Sequence, residues 1–163
     1  MAFELGPHDA LTQVSLDWDF SVDKNAEDLE KQMIDFMLDN NGIGLAANQI
    51  GFTKNVFVIG SKNISGYEPM AVFNPKILEV SKDTDLFKEG CLSYPDLWLT
   101  IKRPKAIIAE FQNSKGDIVT AEMDGLIARC FQHEFDHLKG ICFVDRVSQM
   151  KLQLAIKKIN KRK

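Results

Sequence analysis

Residues 132–140, with the sequence QHEFDHLKG, place two histidines four positions apart with a glutamate between them. Residues i and i+4 of an α-helix lie about 40° apart around its axis and about 6 Å apart along it, so His133 and His137 can bind the same metal ion. Most other sides of this predicted helix are apolar, which is typical of a buried helix. Burying two imidazoles and the Glu134 carboxylate without partners would be costly, and a metal would supply those partners. The pattern therefore predicts a metal site rather than histidines spaced by chance.

A catalytic divalent metal usually has three protein ligands and one open position. In the common HExxH peptidases the third ligand is a later glutamate or histidine, but neither residue follows His137 in this chain. The third ligand must then lie upstream or be a cysteine. The candidates are Cys91 in the turn EGCLS, the cysteines Cys130 and Cys142, which are better suited to packing or lining a pocket, and the isolated His8. Cys91 is favoured, because the neighbouring glycine lets the backbone approach the ion closely.

The remaining pattern predicts an α+β fold in which strands are grouped between helices. A first helix is predicted over residues 24–40, with Asp23 as its N-terminal cap. A second helix is predicted over residues 124–140, and a third begins at Ser148. The strand-like segments are NVFVIG (55–60), MAVFNPKILEV (70–80), KAIIAEF (105–111) and DIVTAEM (117–123), with a hairpin turn at NSKG (113–116).

Length and composition predict a single domain over residues 1–163. The chain is 45% hydrophobic and 26% charged with a net charge of −3, which argues against a surface dominated by nucleic-acid binding. No apolar run reaches the roughly 18–20 residues of a membrane span, and the N-terminus does not resemble a secretory signal. Three cysteines do not make a disulfide framework, so a reducing compartment is expected. These features predict a cytoplasmic protein, or one of an organelle stroma or matrix, or of the host cytoplasm if it is viral.

Three motifs in chain order extend this interpretation: GIGLAANQ at 42–49, EGCLS at 89–93 and QHEFDHLKG at 132–140. Together they strongly resemble the motifs of the peptide deformylase family. The resemblance covers roughly residues 25–150 and departs from the family at Tyr94, where a branched aliphatic residue is common. It implies strands and small sheets wrapped around a central metal-binding helix, with a C-terminal helix after it. It also implies a metallohydrolase that removes the N-formyl group from formyl-methionine at the start of nascent peptides.

The resemblance also implies a cofactor and a mechanism. Cys91, His133 and His137 would hold one divalent metal per chain, with Fe(II) as the expected ion and Ni(II), Co(II) or Zn(II) as substitutes. Such a metal activates a water for attack on the formyl carbon. Glu134 would be the general base that takes the proton of this water, and then the general acid that gives it to the leaving amine.

Other residues are expected around the reacting group and the substrate. The Gln49 side-chain amide and the Leu92 backbone N–H would donate hydrogen bonds to the oxyanion of the tetrahedral intermediate. The substrate-binding residues are predicted to be Ile43, Gly44, Leu126 and Cys130 around the methionine side chain, with Arg103 on the peptide backbone. The residues expected to orient the metal ligands are Glu89 and Gln132.

The segment KLQLAIKKINKRK, residues 151–163, carries six Lys or Arg residues and no acidic residue. As an amphipathic helix it would place Leu152, Ala155, Ile156 and Ile159 on one face and leave a solvated basic face. A sharper hypothesis is that this face contacts ribosomal RNA, because phosphate attracts such clusters. The expected partners are therefore N-formyl-methionyl peptides and the ribosome, without a membrane, and the protein is expected to be a monomer.

Other classes of function compete with this interpretation. An ordinary HExxH peptidase would cleave internal peptide bonds, but it needs a downstream ligand that the chain lacks. A structural Cys-His-His site in an interaction protein would be closed by a fourth protein ligand, and it would have no use for Glu134 and Gln49 together. A protein that binds formylated peptides without hydrolysing them is an intermediate case, although every residue that the mechanism requires is present.

Overall fold

The computed structural model describes residue 5, residues 9–64 and residues 66–161. Within these residues it contains three α-helices and seven β-strands, and the predicted α+β class is confirmed. In chain order the elements are α1 (Ala26–Asp39), β1 (Gly44–Ala46), β2 (Val56–Ile59), β3 (Met70–Val80), β4 (Thr84–Cys91), β5 (Tyr94–Pro104), β6 (Ala106–Gln112), β7 (Ile118–Asp124), α2 (Gly125–Leu138) and α3 (Gln149–Asn160), with short 3-10 helices at Asp9–Thr12, Ala47–Ile50 and Phe143–Arg146.

The strands form two antiparallel sheets. Five strands form one sheet in the order β1-β2-β3-β6-β7, and β4 pairs with β5 in the other. The four predicted strands are confirmed as β2, β3, β6 and β7, and the NSKG turn joins the last two as a hairpin. The strands β1, β4 and β5 were not predicted from the sequence. In β4 the first five residues are all exposed, so the strand lacks the alternation that marks a half-buried strand.

Helix α1 begins two residues later than predicted, at Ala26, and Asp23 does not cap it. Asn25 occupies the N-cap position with φ 67° and makes no side-chain cap hydrogen bond. The Asp23 carboxylate instead accepts a hydrogen bond from the Asp19 N–H at 2.8 Å and pairs with Lys54. The predicted cap was wrong because a local turn and a distant lysine already use this carboxylate.

Helix α2 packs against the five-stranded sheet and is buried along most of its length. The Phe131 ring meets Phe57 of β2 edge-on in the main core, with centroids 5.0 Å apart. Asp124 is the N-cap, as predicted, although its side chain makes no cap hydrogen bond. Beyond the helix Gly140 has φ 72°, and a Cβ there would meet the Thr12 carbonyl oxygen at 2.8 Å, so glycine is required. The turns that carry the two histidines are therefore held inside the protein.

Helix α3 follows Ser148, as predicted, and packs on the two-stranded sheet. Leu152, Ala155 and Ile159 contact the small apolar core of β5 and the last 3-10 helix. Ile156, which was predicted to share this face, is 42% exposed at its edge. At 100° per residue it lies about 60° from the centre of the packed face. None of the α-helices within the described ranges has the length and apolar character needed to cross a membrane.

Candidate metal centre

The end of β4 and the last turns of α2 bring three potential metal ligands together. Cys91 Sγ and one ring nitrogen from each of His133 and His137 lie within 4.8 Å of one another. Cys91 Sγ is 3.3 Å from His137 Nε2. Both histidines are buried, and Cys91 is half-buried. A thiolate and two imidazoles in this arrangement form the donor set of a divalent metal site with one open position.

A buried carboxylate holds the second ring nitrogen of His133. Glu89 Oε2 lies 3.0 Å from His133 Nδ1. The other carboxylate oxygen accepts hydrogen bonds from Arg103 Nε at 2.6 Å and from Arg129 Nη1 at 2.7 Å. Burial by itself would raise the pKa of Glu89, but hydrogen bonds from His133 and Arg103 outweigh it and lower the pKa to about 2. Glu89 is therefore an anion that fixes the orientation of the His133 ring.

The same network continues from Arg103 to Asp136. Arg103 Nη1 donates to Asp136 Oδ2 at 2.8 Å, and Arg146 pairs with the same carboxylate. Arg103 is 4% exposed and does not belong to the wall of the neighbouring cavity. This placement corrects the expectation that Arg103 contacts the peptide backbone. The alternation of β5 turns residue 103 inward together with Leu99 and Ile101, toward Glu89 rather than the solvent.

Gln132 also has partners other than those expected. Its Nε2 donates to the Pro104 carbonyl at 3.1 Å and to the Ala128 carbonyl at 3.0 Å, which fastens α2 to the end of β5. Gln132, Arg129 and Asp136 form a narrow polar stripe along α2, and each of them is only 6% exposed. The stripe is therefore a buried, hydrogen-bonded face of the helix and not a solvated one.

Glu134, which lies between the two histidines in the chain, has a carboxylate oxygen that accepts no hydrogen bond from the described residues. Its side chain is buried, and its Oε2 has no hydrogen-bond partner among the described residues. A Cβ at Gly44 would lie 2.6 Å from Cys130 Sγ and closer still to Glu134 Oε1, so only glycine leaves room for this carboxylate. Burial raises the pKa of Glu134 to about 7. A buried carboxylate with an orphaned oxygen close to three metal donors fits a site built for a cation and a water.

The 3-10 helix Ala47–Ile50 directs the Gln49 side chain toward the candidate ligand Cys91. Gln49 Oε1 accepts a hydrogen bond from the Ala46 N–H at 2.8 Å. Its Nε2 consequently points the other way, donating to Ser93 Oγ at 3.1 Å and lying 3.5 Å from Cys91 Sγ. The amide is 1% exposed, so both of its ends are held in fixed positions.

A cavity of about 610 Å³ opens beside these groups. Leu126 is 45% exposed at its rim, while the buried Cys130 thiol donates to the Ile43 carbonyl at 3.2 Å. Burial raises the pKa of Cys130 well above its ordinary value, so this residue presents a neutral, apolar thiol. The wall contains all the expected substrate residues except Arg103, together with most of the expected catalytic and metal-binding groups: Ile43, Gly44, Gln49, Cys91, Leu92, Leu126, Cys130, His133 and Glu134.

One side of this cavity is aromatic, which the sequence patterns did not predict. Phe87 and Trp98 of the β4–β5 hairpin line the wall, and Trp98 is 60% exposed with its ring against Gly90. Arg129 also lines the wall, and its guanidinium lies 5.7 Å from the centroid of the Phe87 ring. The alternating pattern in DLWLTIK, residues 96–102, was the available signal for the strand that carries Trp98.

The other candidates for the third ligand are not grouped with both histidines. Cys142 Sγ lies 4.0 Å from His137 Nδ1, whereas Cys91 Sγ faces Nε2 on the opposite side of the ring. Cys130 is engaged with a backbone carbonyl. His8 lies outside the described residues. Of the candidates that the structure describes, Cys91 is the one whose sulfur forms a three-donor group with the histidines.

Comparison with known proteins bears directly on this site. The family model described as Polypeptide deformylase matches residues 3–153. The chain belongs to the peptide deformylase family. The Peptide deformylase of Thermotoga maritima is 42% identical over 137 residues, which cover 84% of this chain and 81% of that protein.

Solved structures of deformylases agree with the fold. A peptide deformylase from Synechococcus elongatus in complex with actinonin has a TM-score of 0.88 and 34% identity, covering 97% of this chain and 88% of that one. The Thermotoga maritima structure has a TM-score of 0.83 and 37% identity, covering 91% of this chain and 99% of that one. The family predicted from the three motifs is confirmed, and so is a deformylase fold with sheets, three helices and a C-terminal helix.

Proposed function

We propose that this protein is an active peptide deformylase, which hydrolyses the N-formyl group of formyl-methionyl nascent peptides and releases formate. The main support for the proposal is the position of Glu134. Its buried oxygen Oε2 has no partner among the described residues, and Glu134 lines the same cavity as Cys91 and His133. A carboxylate next to a three-ligand metal set is suited to amide hydrolysis. Membership of the deformylase family supports formylated peptides as the substrate class.

Cys91, His133 and His137 would hold the metal, which makes α2 the central metal-binding helix. When bound, a divalent ion polarises the formyl oxygen and lowers the pKa of water. Fe(II) is the expected ion, with Ni(II), Co(II) or Zn(II) as substitutes, since thiolate and imidazole donors suit such metals. A closed structural site would need a fourth protein ligand, and the donor group found in the described chain has three.

Glu134 would serve first as general base and then as general acid. Its carboxylate takes a proton from the attacking water and delivers it to the nitrogen of the leaving amine. With a pKa of about 7, raised by burial, the carboxylate can accept and return a proton close to neutral pH. A bound cation would lower the pKa of Glu134 and so favour its ionised form, which is the form that acts as the base.

Gln49 and Leu92 would stabilise the negative charge that develops on the formyl oxygen. The hydrogen bond between Gln49 Oε1 and the Ala46 N–H directs Nε2 toward Ser93 Oγ and Cys91 Sγ, and one Nε2 hydrogen would exchange this contact for the formyl oxygen. Leu92 follows Cys91 directly and lines the same cavity, and its backbone N–H would be the second donor. Donors that are fixed before the reaction need no reorganisation when charge develops, which is why they lower the barrier.

The methionine side chain would occupy the apolar part of the cavity. Ile43, Gly44, Leu126 and Cys130 all line the cavity, and the neutral Cys130 thiol is compatible with a thioether. Arg103 is assigned a different role from the one expected, because it is buried against Glu89. We place it behind the metal ligands, where it holds the carboxylate that orients His133.

Release of formate from formyl-Met-Ala-Ser tests the proposal. The protein should be purified without oxygen and loaded with Fe(II) or Ni(II), and unformylated Met-Ala-Ser should serve as the substrate control. Stoichiometric formation of formate and free tripeptide is expected. Absence of turnover in a protein that binds metal at Cys91 would reject the proposed activity and leave a binding site for formylated peptides.

Replacing Gln49 with alanine should lower kcat by about 10²–10³-fold, because one oxyanion donor is lost. Metal content should not change, since Gln49 is not one of the grouped donors. Gln49→Glu is the matched variant: it keeps the acceptor for the Ala46 N–H but replaces the N–H donors, so it should be impaired as well. Formate release and bound metal should be measured on the same preparations. Unchanged turnover in both variants would remove Gln49 from the mechanism.

We also propose that α3 contacts the ribosome through its basic face. Lys151, Lys157, Lys158 and Lys161 are exposed, whereas the apolar face of the helix packs on β5. Lys157→Glu/Lys158→Glu should weaken binding to ribosomes in a salt-dependent manner and leave activity on a small formyl peptide unchanged. Sedimentation with ribosomes at two salt concentrations measures the effect.

Lys82→Glu/Lys115→Glu provides the matched control, because it changes the net charge equally at exposed positions outside α3. Equal losses in the two double variants would show a general effect of charge and would rule out a specific contact by α3.

All groups in the proposed mechanism come from one chain, and the family match spans residues 3–153. We therefore propose that residues 1–163 form one catalytic domain that acts as a monomer.

A further inference from the structure

The two ligand histidines have different partners on their outer ring nitrogens. His133 Nδ1 is 3.0 Å from the Glu89 carboxylate. His137 Nδ1 is 4.0 Å from Cys142 Sγ, a distance at the long end for a hydrogen bond to sulfur. The His137 side chain is fully buried, so bulk water does not reach this nitrogen. A thiol thus stands at His137 where a carboxylate stands at His133.

Tyr94 lies beside Cys142. Burial, and to a lesser degree the neighbouring Cys142 thiol, raise the pKa of the Tyr94 phenol above its ordinary value. The Tyr94 ring packs edge-on against Phe143, with centroids 5.6 Å apart. The Cys142 backbone is fixed as well, because its N–H donates to Asp145 Oδ2 at 2.9 Å. Residue 94 is also where the sequence departs from the branched aliphatic residue common in the family.

We infer that Cys142 is the hydrogen-bond acceptor that orients His137, and that Tyr94 is the residue that positions Cys142. This inference rests on the proposed metal centre. If His137 uses Nε2, which faces Cys91 at 3.3 Å, the proton of its neutral ring is on Nδ1. A buried N–H needs an acceptor. Tyr94 lines the cavity and Cys142 does not, but both are inferred to act through His137, so both are positioning residues.

The expected effect follows from the chemistry of sulfur. Loss of a carboxylate or carbonyl partner of a ligand histidine typically weakens metal binding by about 10–100-fold. A thiol is a weaker acceptor than a carboxylate. Cys142→Ala should therefore weaken Zn(II) binding by roughly tenfold, at the lower end of that range. Tyr94→Phe removes only the hydroxyl and keeps the ring on Phe143, so it should produce a smaller loss in the same direction.

The test uses the full-length protein loaded with Zn(II), which is diamagnetic and permits NMR of the histidine rings. Imidazole ¹H–¹⁵N spectra report the Nδ1–H of His137 directly, and the Nδ1–H of His133 is an internal reference. Competition with a chromogenic chelator gives the Zn(II) affinity of the same samples. Val144→Ala is the packing control, because it shortens a half-buried side chain in the same 3-10 helix as Phe143.

The inference predicts that the His137 Nδ1–H signal shifts and exchanges faster in Cys142→Ala and, to a lesser degree, in Tyr94→Phe. The His133 signal should stay in place, and Val144→Ala should change neither signal nor affinity. Unchanged His137 signals and Zn(II) affinity in Tyr94→Phe and in folded Cys142→Ala would overturn the inference. Equal changes in Val144→Ala would overturn it too, since they would indicate a general packing effect. If the parent protein did not bind Zn(II) through Cys91, the proposed metal centre itself would fail.

Discussion

Replacing Glu134 with glutamine is expected to lower kcat by about 10²–10⁴-fold, because the general base is lost. Glutamine has nearly the same volume as glutamate, so it should fit the space left by Gly44. The parent carboxylate oxygen Oε2 has no partner in the described protein, so no structural hydrogen bond of that oxygen is sacrificed. The substitution should therefore slow the reaction without impairing folding, and the thermal stability of the variant should be close to that of the parent.

Formate release from formyl-Met-Ala-Ser, measured on samples with equal metal content, gives this result. Glu134→Asp is the matched variant, because it keeps the carboxylate but withdraws it from the reacting group by one methylene. Its activity should lie between those of the parent and of Glu134→Gln. Turnover by Glu134→Gln at the rate of the parent would assign the proton transfers to another group and refute the proposed mechanism.

Replacing Glu89 with glutamine is expected to destabilise the folded protein by about 3–5 kcal/mol, because two buried arginines lose their shared anion. Glu89 is 6% exposed and accepts hydrogen bonds from Arg103 and Arg129. The same substitution weakens the partner of His133 Nδ1, so metal affinity should fall by about 10–100-fold. Glu89→Gln thus combines a loss of stability with a loss of metal binding, whereas Glu134→Gln affects turnover alone.

Urea unfolding at pH 7 measures the loss of stability, and chelator competition measures the metal affinity. The pKa of Glu89 is lowered from 4.5 to about 2 in the folded protein, so its ionised form stabilises the fold above pH 4.5. This contribution is lost as the pH falls through about 2.

Glu79→Gln makes the same change at an exposed position of β3 and should alter stability by less than about 0.5 kcal/mol. Similar free energies of unfolding for both variants would show that the buried network does not stabilise the fold.

Local patterns in the sequence were enough to predict the main elements of the fold. The 3.6-residue period of α2 places His133 and His137 on one side of the helix whatever surrounds it. The Asn, Ser and Gly residues of NSKG favour a tight connection, and β6 and β7 form a hairpin there. Strand β4 escaped prediction because its first five residues are all exposed, which removes the apolar alternation, whereas β5 does carry an alternating pattern from which it could have been predicted.

By itself, the sequence determined the family, the helix that carries HExxH and the residue types available to bind a metal. These follow from local spacing and from three motifs that do not depend on distant contacts. Only the tertiary structure decided which buried groups meet. The packing of α2 against β4 and β5 joins Glu89, Arg103, Arg129 and Asp136 in one ionic network, and the chain after α2 brings Cys142 to His137. Partners that are far apart in the chain leave no periodic trace in the sequence, because their contact depends on the packing of whole elements.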